Sequence, residues 1–480
     1  MRFSHVYKDI VLDSSFENWK RLMKYYVQLN KAHLLMLQKT KIISKEIYVE
    51  VSNGLKKIQT ESIEEKLPEE VEDLLFLIEK RLSQLITVEK AGFLHTARSR
   101  NDIDATVFRM CVRDELIDFV YQSIDLIDTI VQRAKTSVET LLLLYTHGQP
   151  AQVSTFAHYL LSFAFDVLEV LHNVIGALEV VNICPMGSGA ITTTGFPIDR
   201  KMVSEYLGFS EPVENSYRAI VTSHWITFPS SCLKILMNDL TRLVQELIQK
   251  SSCEVGIFHF PDELVQISSI MPQKRNPVIL EHLRIRANIA YGIFDAVERI
   301  FVNTPYQDIN ENGDFALFKF IEGLNIAKQA MILTKEILQK VDVDQKRVKE
   351  LALKTGATTT ELADELVRTF QMSFRQAHSI VSEYVKSDMN YEILAEEFEK
   401  ASGKRFTLSQ KQIEKILSVE HFVKVRKTAG GPERKPVREM IRKIEKAVKA
   451  LKERTITIDN KIKDSLRKLE NEFSAIGGKI

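Results

Sequence analysis

The sequence predicts an all-α protein built from long helices, and three of its features lead to this prediction. Glycine and proline, at 18 and 12 of 480 residues, occur at about half their usual frequency, so few residues interrupt a helix. Apolar side chains recur every three to four positions from Val107 to Val131, which places them in one stripe on a helix. Alternating apolar and polar residues, which indicate half-buried strands, occur only in short stretches.

Changes in helix length and charge divide the chain into four predicted parts. Residues 1–103 form a mixed helical domain, and residues 104–349 form a central bundle of long helices. Residues 350–437 form a small helical domain, and residues 438–480 form a helical tail rich in lysine and glutamate. A solvated surface helix explains this tail most simply, and a helix that binds a partner is the alternative.

The composition argues against several classes of partner and location. Lysine and arginine number 65 against 64 acidic residues, so the net charge of +1 gives no reason to expect nucleic acid or an anionic membrane. The four cysteines lie far apart without a CxxC pair, which argues against a disulfide framework or a zinc site. No signal peptide and no run of about 18 apolar residues is evident. We therefore expect a soluble cytoplasmic protein.

The segment His95–Asp102, HTARSRND, concentrates two arginines, two hydroxyls and an amide. A guanidinium group matches a carboxylate with two hydrogen bonds, and Ser99 and Asn101 add directional polar groups, so the segment suits a dicarboxylate. The alternative is a charged helix cap, with Asp102 at the start of the next helix.

The segment THGQP places His147 beside Thr146 in a break between two apolar runs. Histidine exchanges protons near neutral pH and so suits general acid or base chemistry. A histidine near a loop is more often structural, so this residue needs support from another segment.

That support comes from SSIMPQKRNP at 268–277, directly before a helix predicted to begin near Val278. Serine is a poor base unless cations and backbone N–H groups stabilise its alkoxide, which Lys274 and the helix N-terminus could do for Ser268. Glu281, just inside the helix, could orient and charge-assist a histidine. The alternative is an ordinary polar loop.

Taken together, these segments resemble the argininosuccinate lyase branch of the fumarase/aspartase superfamily. That branch carries HTGRSRND, T-H-x-Q-x-A-Q, P-x-GSGA and GSS-x-MPxKxNP, and this chain has HTARSRND, THGQPAQ, PMGSGA and ISSIMPQKRNP in the same order. The stretches ATTTELADELVR and SVEHFVKVRKTAGGPERKPV resemble the branch's carboxyl-terminal region. The resemblance covers about residues 66 to 440.

The resemblance implies a three-domain fumarase/aspartase-like chain and a homotetramer whose core has about twenty helices. Three subunits build each active site, which eliminates fumarate from an N-succinyl substrate, here argininosuccinate in arginine biosynthesis. We expect no metal or cofactor, because the cations of the 268–277 loop already supply the charge stabilisation. The implied catalytic residues are the base Ser268, the general acid His147, its charge partner Glu281, and Lys274 and Asn276, which stabilise the aci-carboxylate. The implied substrate contacts are Ser99, Arg100, Asn101, Thr146, Asn276 and Tyr306, with Arg100 and Asn101 acting on the fumarate half.

The departures from the branch concern mainly the amine end of the substrate. The branch's Y-N-x-D-x-Q-E-D-K, which holds the arginine end, corresponds to YQDINENG at 306–313, where Asn310 replaces glutamine and lysine is missing. This change leaves two alternatives open: a sister lyase for another N-succinyl or amino-dicarboxylate substrate, and a non-catalytic structural bundle. Four smaller departures are Ile267 for glycine, Ala97 for glycine, Leu75 for histidine and Asn30 for an expected serine.

Overall fold

The computed structural model describes residues 3–61, 67–68 and 71–476 and confirms the all-α class. The amino-terminal helices are α1 (His5–Tyr7), α2 (Asp13–Lys20), α3 (Met23–Lys39), α4 (Lys45–Thr60), α5 (Leu74–Leu85) and α6 (Val88–Gly92). The central helices are α7 (Arg100–Thr136), α8 (Phe156–Val181), α9 (Arg200–Tyr206), α10 (Ser216–Val221), α11 (His224–Ser251), α12 (Val278–Ile300) and α13 (Asp314–Lys340). The carboxyl-terminal helices are α14 (Gln345–Lys354), α15 (Thr359–Phe370), α16 (Phe374–Lys386), α17 (Tyr391–Ser402), α18 (Gln410–Ile416), α19 (Val419–Val425) and α20 (Arg434–Ile476).

Short strands and single helical turns connect these helices. The strands are β1 (Leu141–Thr146), β2 (Gln149–Thr155), β3 (Phe258–His259), β4 (Gln266–Ile267), β5 (Arg275–Asn276) and β6 (Asp342–Val343). They form three antiparallel pairs, β1 with β2, β3 with β6, and β4 with β5. A π-helical turn covers Lys8–Leu12, and 3-10 turns cover Phe93–His95, Asp262–Leu264 and Asn310–Asn312.

Five long helices form the central bundle that the apolar periodicity predicted. Helix α7 packs against α8 and α13, α11 packs against α8 and α12, and α12 packs against α13. Helix α8 is long and apolar enough to cross a membrane by length and composition, but more than half of its apolar window is buried inside the protein. It packs against α7, α11 and α20, so we interpret it as a core helix.

A second, smaller core lies between α15, α16, α17 and α18. Its buried members include Leu366, Ile380 and Phe398, and they belong to a cluster separate from the main core. Helices α14 and α19 contribute Val348 and Phe422 to the main core instead. The small helical region therefore has apolar packing of its own and is joined to the bundle at both ends.

The charged carboxyl-terminal segment forms the single helix α20, which begins four residues before the predicted tail and packs on α3, α7, α8 and α9. Positions 477–480 of the predicted tail, like 1–2, 62–66 and 69–70 of the predicted amino-terminal domain, lie outside the described residues. The buried Lys31 donates to Glu470 at 2.6 and 2.8 Å and to Gln59 at 2.7 Å. Tyr48 donates to the carbonyl of Phe473 at 2.9 Å. These contacts anchor the end of α20 to α3 and α4.

Replacing Gly208 with alanine should destabilise the protein by at least about 2 kcal/mol, because it combines backbone strain with a backbone clash. Gly208 has φ +74°, and a Cβ there would lie 2.8 Å from the Cα of Ile462 in α20. Urea unfolding measures the effect. Gly176→Ala is the matched control, because a Cβ in that helical position meets nothing within 4 Å. Equal stability of the Gly208 variant and the unchanged protein would contradict this account of the packing.

Candidate active site

The HTARSRND segment ends in a helix cap that holds two neighbouring loops together. Ser99 caps α7, and the Asp102 carboxylate accepts the Ser99 N–H at 2.8 Å, which completes a capping box. The second oxygen of Asp102 accepts the N–H groups of Gly187 and Gly189 at 2.9 and 3.0 Å. Burial raises the pKa of Asp102 to about 6 in spite of these bonds. The cap interpretation therefore holds for Ser99 and Asp102, and the cap also positions PMGSGA.

The glycines of PMGSGA are needed for this docking. Gly187 has φ +84°, and a Cβ there would lie 2.6 Å from the Cγ of Arg200. Gly189 has φ +60°, and a Cβ there would lie 2.7 Å from the carbonyl oxygen of Thr193. Both positions lie in the left-handed region that favours glycine. The loop can therefore bring its backbone N–H groups against Asp102 only without side chains at these two positions.

The residues before the cap keep their fold although Ala97, and the contacting Asn30 in α3, depart from what the branch would have. Ala97 has φ +63°, so the turn that a glycine would favour is retained with a strained alanine. Arg98 is buried and donates to the amide oxygen of Asn30 at 2.6 Å. His33 bonds the carbonyl of Thr96 at 2.9 Å, and burial lowers the pKa of His33 to about 3, so the ring is neutral. The hydrogen bond of Asn30 thus helps to hold the HTARSRND segment against α3.

Arg100 lies at the first position of α7, and acidic side chains hold it there. Its guanidinium forms ion pairs with Glu72 at 2.8 Å and Asp73 at 3.2 Å. The hydrogen bond to Glu72 is the largest of the contacts that raise the pKa of Arg100, so the group is always charged. A bound substrate carboxylate would therefore replace part of an existing ion pair.

A further carboxyl group, that of Asp104, lies close to this ion pair. Tyr26 donates to Asp104 at 2.6 Å, and burial, followed by the charge of Asp73, raises the pKa of Asp104 to about 8. Burial therefore favours the protonated form of Asp104, and the ion-pair partners of Arg100 are Glu72 and Asp73. No group of three His, Cys, Asp or Glu side chains in the described parts of the chain is arranged to hold a metal ion.

Asn101 connects α7 to the PMGSGA loop and to the segment that departs most from the branch. Its amide nitrogen donates to the carbonyl of Ala190 at 3.2 Å and to the carboxylate of Asp308 at 2.8 Å. Burial raises the pKa of Asp308. In the same segment as Asp308, the carbonyl of Tyr306 accepts a hydrogen bond from the Tyr217 hydroxyl at 2.7 Å, and the Tyr306 side chain is exposed. The structure therefore brings Ser99, Arg100, Asn101 and Tyr306 to one end of the bundle.

The THGQP segment forms the tip of the hairpin between β1 and β2. His147 and Gly148 occupy a two-residue turn with φ +52° and +75°, and Thr146 pairs with Gln149 across it. Two consecutive positive φ values are typical of the type I′ turn, which matches the twist of a hairpin. The side chains of Thr146 and His147 are exposed. The side chain of His147 thus projects into solvent from the tip of the hairpin.

The SSIMPQKRNP segment is a tight loop closed by β4 and β5. The Ser268 hydroxyl oxygen accepts the N–H groups of Ile270 at 3.3 Å and Met271 at 3.1 Å. The Ser268 N–H donates to the Lys274 carbonyl at 3.3 Å, and the Lys274 N–H donates to Met271 at 3.0 Å. Two N–H groups that point at one oxygen stabilise negative charge on it. The other predicted residues of this region are the exposed side chains of Lys274 and Glu281 and the partly exposed Asn276.

The two groups of candidate residues lie at opposite ends of the bundle. Helix α7 has 37 residues, which corresponds to a length of about 55 Å between Arg100 and Thr136. The His147 hairpin begins only five residues after that carboxyl end. One chain therefore cannot bring His147 to Arg100.

The Ser268 loop lies at the same end of the bundle as the hairpin. Lys340, at the end of α13, pairs at 2.7 Å with Glu263, which directly precedes the loop region. The following residue, Val341, accepts a hydrogen bond at 2.8 Å from Arg133 near the end of α7. The structure thus separates Ser268 and His147 from the Arg100 group.

Three sets of hydrogen bonds that hold candidate residues in place were not predicted from the sequence. They join Asp308 to Asn101, Glu72 and Asp73 to Arg100, and Asn30 to Arg98. The sequence patterns gave no role to Glu72 and Asp73, and Asp308 lies in the 306–313 segment, which departs from the branch. Each pairs with a residue between 27 and 207 positions away, so only the tertiary fold reveals its role. Asp308 carried one available signal, because it is an acidic residue in the segment that aligns with the branch's amine-binding motif.

Comparison with known proteins identifies the family. A family model described as Lyase matches residues 13–292, and one described as Argininosuccinate lyase C-terminal matches residues 356–424. Argininosuccinate lyase 2 of Agrobacterium fabrum is 38% identical over 447 residues, which is 90% of this chain and 88% of the relative. Argininosuccinate lyase of Methanococcus aeolicus is 35% identical over 452 residues, which is 92% of this chain and 89% of the relative.

Solved structures share the fold at lower sequence identity. EDDS lyase in complex with formate has a TM-score of 0.85 at 24% identity, covering 95% of this chain and 92% of the other. The class II fumarase of Schistosoma mansoni has a TM-score of 0.66 at 14% identity, covering 83% of this chain and 90% of the other. With the family models and the relatives, these likenesses lead to one conclusion: the chain belongs to the argininosuccinate lyase branch of the fumarase/aspartase superfamily of lyases.

Proposed function

We propose that this protein is a carbon–nitrogen lyase that cleaves argininosuccinate reversibly into fumarate and arginine. The observation that carries the proposal is the Ser268 hydroxyl, which accepts two backbone N–H groups in a loop that also bears Lys274 and Asn276. This environment lowers the cost of an alkoxide and makes a serine a usable base. Membership of the family supports the same reaction, and arginine biosynthesis in the cytoplasm is its proposed setting.

The proposed elimination moves one proton onto Ser268 and another onto the leaving nitrogen. The Ser268 alkoxide removes the proton from the carbon beside a carboxylate, and the electron pair moves into that carboxylate to give an aci-carboxylate. Lys274 and Asn276 stabilise its extra negative charge. The pair then forms the carbon–carbon double bond of fumarate as the carbon–nitrogen bond breaks, and His147 protonates the nitrogen.

The remaining proposed roles concern orientation and binding. Glu281 stabilises the charged form of His147, since a nearby carboxylate favours an imidazolium. Arg100 binds a carboxylate of the substrate in place of part of its ion pair with Glu72 and Asp73. The other proposed substrate contacts are Ser99, Asn101, Thr146 and Tyr306.

We propose that a homotetramer completes the active site with residues from three subunits. The ends of the bundle that carry Arg100 and Ser268 are too far apart within one chain to share a substrate. The long helices α11, α12 and α13 also expose large apolar side chains, each between 43% and 59% exposed. These side chains are Phe228, Ile235, Ile285, Ile289 and Ile332. Exposed apolar side chains on three neighbouring helices favour an interface, and antiparallel packing of copies would bring opposite ends together.

The segment at 306–313 favours a second candidate, a sister lyase that acts on another N-succinyl substrate. Gly313 follows the 3-10 turn, and a Cβ there would lie 2.8 Å from the carbonyl oxygen of Asn310. A lysine at this position, as in the branch's motif, would therefore require a different turn. Placing a lysine at Gly313 would thus affect the backbone of this segment as well as its side chains.

We expect argininosuccinate to be turned over with a high KM, or another N-succinyl compound to be preferred. Losing a charged or hydrogen-bonding contact costs about 1–3 kcal/mol, or roughly ten- to two-hundredfold in specificity. The measurement is kcat/KM from the ultraviolet absorbance of fumarate, for argininosuccinate, adenylosuccinate, aspartate and a panel of N-succinyl amino acids. A micromolar KM for argininosuccinate would contradict our interpretation of 306–313. Fumarate release from no compound of the panel would contradict the lyase assignment.

A further inference from the structure

A buried lysine in α11 lies against the hairpin that carries His147. Lys250 is in the last turn of this helix, and 2% of its side chain is exposed within the single subunit. Its ammonium group donates to the carboxylate of Glu246, which lies one helical turn earlier. Burial lowers the pKa of Lys250, and the charge of Glu246 opposes this change. Burying an ammonium group is costly, so the contacts that compensate for it fix the position of this side chain.

The ammonium group also contacts two tyrosine rings. Its nitrogen lies 5.1 Å from the ring centroid of Tyr145 in β1 and 5.3 Å from that of Tyr159 in α8. A cation within about 6 Å of a ring centroid is attracted to the ring, and the attraction is stronger away from water. Tyr159 belongs to the first turn of α8, whereas Tyr145 is partly exposed and lies two residues before His147. Lys250 therefore links the hairpin to two helices of the bundle, α8 and α11.

The strand pairing gives the tip of this hairpin little support of its own. A bulge interrupts the register just before Tyr145, and two pairs of residues lie beyond it, Tyr145 with Pro150 and Thr146 with Gln149. Opposed residues of antiparallel strands alternate between hydrogen-bonded and non-bonded pairs, so one of these two pairs supplies the backbone bonds of the tip. A bulge also bends the strand and redirects the residues after it. The direction of the tip therefore depends on side-chain contacts such as that between Tyr145 and Lys250.

We propose that Lys250 is a positioning residue for His147, which holds the ring of Tyr145 and thereby fixes the direction of the hairpin tip. This role rests on the proposed function, in which His147 is the general acid. A general acid must lie within hydrogen-bond reach of the atom that it protonates, and a displacement of about 1 Å is enough to lower the rate strongly. Lys250 is enclosed by its own subunit, so the support is complete before other subunits add their residues to the site.

The test compares Lys250→Met in wild type and in His147→Asn. Methionine keeps the length of the lysine stem without its charge, and the half-buried Glu246 reaches solvent once it is unpaired. We expect kcat in wild type to fall about tenfold, since a misplaced group can lose up to about a hundredfold. Inhibition by fumarate, which does not require the acid, should stay within about twofold. In His147→Asn the same substitution should change the residual kcat by less than about twofold, because the group that it positions is absent.

Lys31→Met is the matched control, because Lys31 is equally buried, donates to a glutamate and lies over a phenylalanine ring. Its partners belong to α4 and α20, so any effect on kcat should be the same with and without His147. Two substitutions of Tyr145 test the ring directly. Tyr145→Phe keeps the ring for the cation and should retain at least about half of kcat, whereas Tyr145→Leu removes it and should reproduce the loss.

Amide hydrogen exchange of residues 145–150 gives a measurement that does not depend on activity. Exchange should be faster in Lys250→Met than in wild type and unchanged in Lys31→Met, because only the first variant frees the tip. Thermal unfolding of each variant separates a loss of fold from a loss of positioning. If Lys250→Met does not fold, the two substitutions of Tyr145 decide the question.

Wild-type kcat in Lys250→Met, or an equal fold loss with and without His147, would overturn the assignment of Lys250. Unchanged exchange at the tip would overturn it as well, as would equal losses in Tyr145→Phe and Tyr145→Leu. Failure of the proposed function has a different signature. In that case His147→Asn would keep wild-type kcat, or wild type would release no fumarate from any N-succinyl compound, and the exchange measurement would still test the contact.

Discussion

Replacing Ser268 with alanine should abolish turnover and leave the assembly and the melting temperature nearly unchanged. The hydroxyl is the proposed base, and among the described residues its oxygen accepts the N–H groups of Ile270 and Met271, within the same exposed loop. The β4–β5 pair and the bond from the Ser268 N–H to Lys274 do not involve the side chain, so the loop should persist without it. Fumarate release by the purified variant measures the effect.

The magnitude of the loss decides between Ser268 and its neighbour. Residual activity above about a tenth of wild type corresponds to less than roughly 1.4 kcal/mol of barrier, too little for removal of the base. Such a result would show that Ser268 is not the base. Ser269→Ala is the matched control, since it removes the same hydroxyl one residue along. Loss of activity in Ser269→Ala alone would move the assignment to that residue.

The helical fold was predictable because its signals are local. The apolar stripe from Val107 to Val131 lies within α7, and the helix predicted near Val278 begins at that residue. The pairs of strands were not predicted, since most have two residues per strand and so show no periodicity.

The candidate site was predictable only as separate segments. The sequence patterns identified the residue types, and the resemblance assigned their roles, but neither shows which segments meet. Ser99, Arg100 and Asn101 lie near Tyr306 because α7 begins beside the 306–313 segment, where Asn101 contacts Asp308 across about two hundred positions. His147 joins none of them, because the length of α7 lies between. The distances between these segments follow from how the helices pack, and helix packing cannot be derived from a single sequence.

The hairpin turn makes His147→Asn an unusually direct test of the general acid. His147 has φ +52° and precedes Gly148 with φ +75°, and Asn-Gly is the pair most favoured in a type I′ turn. Asparagine adopts the left-handed conformation with little strain, so the variant should keep the hairpin. The side chain is exposed at the tip, and its replacement leaves no cavity in the subunit. A loss of activity would therefore not reflect misfolding.

We expect His147→Asn to lower kcat by at least about a hundredfold, the usual contribution of a general acid, while fumarate still binds. The amide keeps the polarity of the turn but cannot give a proton to the leaving nitrogen. Steady-state kinetics give kcat, inhibition by fumarate reports binding, and melting temperature reports the fold. Gln149→Asn serves as the control, because it alters an exposed position of the same hairpin to which no role in the reaction is assigned. Wild-type turnover in His147→Asn would make this histidine structural and require the proton to come from another subunit's side chain or from water.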